Sequence, residues 1–95
     1  KWFKKDGSKI YIDVNLGTYS SKNDAENRDN PMSPAGTFTV YLYDEDFKSV
    51  GSKEFKADCN EHTAKFYISK NKKYCVLFTF GGDKYYYFGG DFTVR

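Results

Sequence analysis

Thr37-Phe38-Thr39-Val40-Tyr41-Leu42-Tyr43 decides the fold. Phe38, Val40 and Leu42 fall on one side of a two-residue period, and Thr37, Thr39, Tyr41 and Tyr43 fall on the other. That is the pattern of a strand with one face in a core and one face wet. Upstream, Ile10, Ile12, Val14 and Leu16 alternate with Tyr11, Asp13 and Asn15 in the same way. Downstream, residues 53–59 put Phe55, Ala57 and Cys59 on one face and Lys56 and Asp58 on the other, and Ala64, Phe66 and Ile68 alternate with Lys65, Tyr67 and Ser69. Residues 74–80 are apolar on both faces except at Thr79, which predicts a central strand covered on both sides. Tyr85, Tyr86, Tyr87 and Phe88 form a further strand, interrupted by Gly89-Gly90 as a bulge or bend, and residues 91–95 finish the sheet. Trp2-Phe3 and residues 47–50 read as short strands.

The punctuation between these runs is turn chemistry: Asp6-Gly7, Asp44-Glu45-Asp46, the connection Asn60-Glu61-His62, a charged hairpin at 70–73, and Gly81-Gly82-Asp83. Residues 17–36 are almost without apolar side chains and contain Pro31 and Pro34, so they read as one long polar loop. Composition agrees with the strands. Nine Phe, nine Tyr and one Trp make up 20% of the chain, and aromatic residues suit a pleated, half-buried surface, each burying roughly 150–250 Å². The expectation is an all-β chain: one domain spanning 1–95, a small antiparallel β-sandwich of about seven or eight short strands.

From Thr37 onward the order of pieces resembles the later half of a bacterial immunoglobulin-like or transthyretin-like sandwich. The pieces are a strand ending in Tyr43-Asp44, a turn, residues 53–58, residues 65–68, Lys73-Tyr74-Cys75-Val76, and a closing Gly90-Asp91-Phe92-Thr93-Val94. The resemblance implies an architecture, and architecture does not carry function.

Charge and hydropathy exclude several classes. Fifteen Lys and Arg against 13 Asp and Glu leave +2, too balanced for a nucleic-acid footprint. The longest apolar run, 74–78, is five residues, against the roughly 20 a membrane helix needs. No leader resembling a signal peptide is legible, and a start at Lys1 is what a removed leader or a trimmed chain leaves. No nucleophile elbow, phosphate-binding glycine loop or His-Glu-x-x-His helix is present, so no enzyme, metal or cofactor is expected. Cys59 with His62 would make a nucleophile pair lacking a third, orienting group. The oxygen-rich run 23–30 reads as a solvated loop rather than a calcium site. The lysine groups Lys1, Lys4, Lys5 and Lys70, Lys72, Lys73 read as solubility and edge-protecting charge.

Two features point to function. Cys59 and Cys75 are expected to form a disulfide, worth about 3 kcal/mol for a loop of this length, which places the chain outside the cell or on its surface. Tyr41, Tyr43, Tyr67, Tyr85 and Tyr87 are all predicted outward, so together they would form an aromatic platform for a glycan or a protein. The chain then reads as a monomeric, secreted or surface binding module; the competing reading of the same tyrosines is cross-strand aromatic pairing that only stabilises a sheet. Two other functions fit the same composition. One is a small antibacterial or toxin-like protein acting on a cell envelope, and the other is an inhibitor or immunity-type protein using the 17–36 loop.

Overall fold

The computed structural model describes residues 2–4, 8–69, 72–81 and 86–95. The elements are β1 (Trp2–Lys4), β2 (Lys9–Tyr19), α1 (Lys22–Asn27), β3 (Thr37–Asp44), β4 (Ser49–Lys56), β5 (Asp58–Tyr67), β6 (Lys73–Gly81) and β7 (Tyr87–Val94). They form a four-stranded sheet in the order β1-β6-β3-β4 and a three-stranded sheet in the order β5-β2-β7. Every neighbouring pair is antiparallel. The fold is all-β, and the two sheets enclose one core. Among the described residues no helix is long and apolar enough to cross a membrane.

The period-two reading gives the core directly. Ile10, Ile12 and Val14 from β2 meet Phe38, Val40 and Leu42 from β3, with Ala64 and Phe66 from β5 and Tyr74 from β6. Each fully buried Val, Leu, Ile or Phe contributes about 1.5–3 kcal/mol. Where β6 and β7 meet across the two sheets, the seam is closed by ring pairs. Phe78 tilts against Phe92 at 4.8 Å and Phe80 stacks on Phe88 at 4.6 Å.

Several expectations are corrected. Residues 17–36 are not one loop: β2 continues through Tyr19, and Ser21 caps a short helix by accepting the Asp24 N–H at 3.1 Å. β2 extends because it has partners on both sides, Gly17 opposite Asp58 and Thr18 opposite Phe88. The run 53–59 is two strands. Lys56 still pairs with Thr37 in the four-stranded sheet, Asp58 pairs with Gly17 in the other, and the chain changes sheets at buried Ala57, whose N–H donates to the Gly36 carbonyl at 2.8 Å. Cys59 then adopts φ +66, so alternation breaks and its side chain is exposed rather than core-facing. Glu61 and His62 are strand residues opposite Asn15 and Val14, not a connection.

β6 lies between β1 and β3, but its outer face is open: Leu77 is 48% exposed. Gly89 and Gly90 do not interrupt β7, which keeps one register with β2 from Val94 to Tyr87. The Asp44-Glu45-Asp46 turn forms as expected, with the Asp44 carboxylate accepting the N–H groups of Asp46 at 2.9 Å and Lys48 at 3.1 Å. The expected turns at Asp6-Gly7 and Gly82-Asp83, and the tip of the 70–73 hairpin, lie outside the described residues.

No disulfide joins Cys59 and Cys75. Cys75 pairs with Tyr43, whereas Cys59 follows the sheet crossing beside Gly36 and Thr37. Six residues of strand separate those two ends, on the order of 20 Å, and a disulfide needs Cα atoms within about 7 Å.

Candidate binding surfaces

The five-tyrosine platform divides between sheets. Parity sorts a strand's residues into inward and outward, but which outer face they reach depends on the sheet that strand joins. Tyr41 and Tyr43, both on β3, come together on the outer face of the four-stranded sheet, their rings 6.2 Å apart and 21° from parallel. Tyr67 and Tyr87 belong to the three-stranded sheet, at opposite ends of β2, facing Lys9 and Tyr19 respectively. Tyr85 lies outside the described residues.

Around Tyr41 and Tyr43 the strand register adds residues not singled out from the sequence. Leu77 sits opposite Tyr41 and Cys75 opposite Tyr43 on β6, and Ser52 and Ser49 flank them on β4. The Asp44 turn lifts Phe47 to the rim: its N–H donates to the Asp44 carbonyl at 3.0 Å, its φ is +60, and its side chain is 77% exposed. Tyr43, Phe47, Cys75 and Leu77 line a shallow apolar hollow of 250 Å³. Lys72 reaches Asp46 at 3.9 Å beside this rim. The alternation of β6 held the signal for Leu77, since Leu77 shares parity with Thr79.

The outer face of the three-stranded sheet is more polar. Tyr67 is 69% exposed, with the Lys65 ammonium 5.2 Å from its ring centre. The Arg95 guanidinium lies 4.7 Å from the Tyr11 ring. Arg95 Nε donates to Asp13 Oδ2 at 2.6 Å, and the Thr63 hydroxyl donates to Asp13 Oδ1 at 2.6 Å. Further along, Tyr19 is buried although it points outward, because α1 packs over this end of the sheet. Its hydroxyl is 3.8 Å from Cys59 Sγ. Burial raises the Tyr19 pKa above the ordinary phenol value, and Cys59 adds to the rise.

His62 is elsewhere. Its Nε2 is 2.9 Å from Asp58 Oδ1, and its ring stacks on Phe55 at 5.1 Å. Cys59 faces Gly17 and Tyr19 instead, so the cysteine and the histidine do not form a pair. Among the described residues no three His, Cys, Asp or Glu side chains come together to hold a metal ion. Asn23 and Asp24 of the oxygen-rich run are helix residues.

The helix creates a second concavity. Lys22, Glu26 and Arg28 form one side, Tyr87 the other, and Gly89 and Gly90 the floor of a groove of 400 Å³. Lys22 pairs with Glu26 at 3.9 Å and Arg28 with Asp91 at 3.5 Å. Sequence reading missed these helix residues. The available signal was Ser21-x-x-Asp24, a capping pattern, followed by Lys22 and Glu26 at helical spacing.

Among the described residues, three carboxyl groups are held below the ordinary aspartate range. Arg95 and then Thr63 do this to Asp13, the Lys48 backbone N–H foremost to Asp44, and His62 foremost to Asp58. A depressed folded-state value contributes stability that is present above the unfolded value, about 3.9, and lost as pH falls through the folded value. Thermal melts should therefore be flat from pH 6 to about pH 4.5 and fall steeply below pH 4. Asp13→Asn should shallow that acid limb, and a melting temperature independent of pH down to 2 would contradict the assignment.

No protein-family model matches this chain, and no curated protein and no solved structure shows significant similarity to it.

Proposed function

We propose that the chain is a non-catalytic binding module that meets its ligand on the aromatic outer face of the four-stranded sheet. The observation that carries this is the pair of near-parallel tyrosine rings, Tyr41 and Tyr43, continued by exposed Leu77 and Phe47. Tyrosine offers a large, stiff contact area with few rotors to freeze, and well-packed aromatic centres dominate interface energetics. A tyrosine face suits both glycans and proteins. The hollow beside Tyr43 is lined by apolar side chains, and this favours a protein ligand there, since a sugar needs hydrogen-bonding groups next to the ring.

The immunoglobulin-like or transthyretin-like architecture belongs to the same proposal. Two antiparallel sheets around one core support it. The last strand departs from the immunoglobulin order, in which it lies beside its sequence neighbour: β7 pairs with β2 and not with β6. A secreted or surface location is also proposed, now without the support of a disulfide.

The test is to select protein ligands against the native chain and to screen a glycan array in parallel. Each hit is then measured with Tyr41→Ala and Leu77→Ser. Both side chains point away from the core, so the folded amide spectrum should persist. Affinity should drop at least about 10-fold, or about 1.4 kcal/mol. Specific ligands whose affinity neither substitution changes would refute this face as the site.

A further inference from the structure

We propose that the groove between α1 and β7 binds a neutral pyranose ring, one sugar unit of a glycan. It extends the binding-module reading to a second surface, on the other sheet from Tyr41 and Tyr43, and either surface can fail without the other.

The shape comes from how closely the helix sits on the strand. Phe88, Gly89 and Gly90 form the floor of the groove. α1 settles directly on that floor: a Cβ at Gly89 would run into the Ala25 carbonyl. Tyr87, 45% exposed, stands as one wall. The other wall is fixed at both ends. Ser21 caps the start of α1, and Arg28 in the left-handed conformation closes its end by donating its N–H to the Asp24 carbonyl. The volume, 400 Å³, lies in the range of small-ligand sites, about 300–1,000 Å³.

The lining chemistry selects among ligands. A pyranose presents a flat face of C–H bonds and a rim of hydroxyls. Tyr87 offers an aromatic face for the first. Lys22, Glu26 and Arg28 offer donors and acceptors for the second. Lys22 is matched by Glu26, and Arg28 by Asp91 beside the groove. An anionic ligand would meet the Glu26 and Asp91 carboxylates already facing those cations, and an apolar one would strip water from charged groups. Hydroxyls incur neither penalty. They add charge-assisted hydrogen bonds to guanidinium N–H groups and carboxylate lone pairs that one ion pair leaves unused.

The experiment is an amide NMR titration of the native chain with methyl glycosides of neutral hexoses and with neutral disaccharides at millimolar concentration. Glucuronic acid serves as the anionic control. Shifts are expected at Lys22, Ala25, Tyr87 and Gly89 and not at Tyr41 or Leu77. Tyr87→Phe should keep the binding, and Tyr87→Ala should weaken it at least about 10-fold while the spectrum stays folded. No shift with any neutral sugar overturns the proposal. Equal binding of glucuronic acid overturns it too, as does unchanged binding by Tyr87→Ala. Shifts confined to Tyr41 and Leu77 would also overturn it and leave the aromatic sheet face standing.

Discussion

Gly90→Ala is expected to destabilise the three-stranded sheet severely. Gly90 sits opposite Leu16 with φ +153, a conformation that L side chains rarely adopt. A Cβ there would collide with the Asn15 carbonyl oxygen and come within 2.9 Å of the Leu16 Cα. Both are backbone atoms of β2, the central strand, so relief requires pulling β7 from its ladder. The cost should reach about 3 kcal/mol or more, against a total of about 5–14 kcal/mol for a chain of this size. Gly81→Ala is the control. Its new Cβ would meet the Thr37 hydroxyl at 2.8 Å, which can rotate away. Urea denaturation compares them, and equal midpoints for the two variants would contradict the account.

Thr18→Val should cost about 2–4 kcal/mol although the two side chains have nearly the same shape. Thr18 is fully buried. Its hydroxyl donates to the Ala57 carbonyl at 2.9 Å and accepts the Gly36 N–H at 3.0 Å. One side chain of β2 thereby ties the entry of β3 to the point where the chain changes sheets. Valine keeps the volume and leaves a buried donor and a buried acceptor with one partner fewer each. Thr39→Val, on the outer face of β3, should stay within about 0.5 kcal/mol. If both substitutions shift the urea midpoint alike, the buried hydroxyl is not what holds the crossing.

Those same residues mark where sequence reading succeeds and fails. Ile10 to Val14 and Phe38 to Leu42 were legible because alternating burial writes itself into alternating hydropathy. Thr18 and Tyr19 were not, because a buried hydroxyl with two partners looks like a loop residue in sequence. The six residues of α1 carry no buried side chain, so no apolar stripe announces the helix. The crossing at Ala57 kept the alternation of β4 and hid the change of sheet. The tyrosines were legible as outward, and Tyr41 and Tyr43 do share a face. Strand order separates Tyr67 and Tyr87 from them, and order depends on pairings between residues far apart in the chain.

Those distant pairings also set a timetable for synthesis. Ile12 pairs with Val94 and Tyr19 with Tyr87, so a strand finished by residue 19 must wait for residue 94 before its second ladder can close. β3 likewise waits for β6. On a ribosome β3 can pair at once with β4, but β2 emerges with its apolar face uncovered until β5 follows. Non-local β pairing of this kind folds in milliseconds to seconds, and its last ladder, β2 with β7, closes only once residues 87–94 have left the exit tunnel.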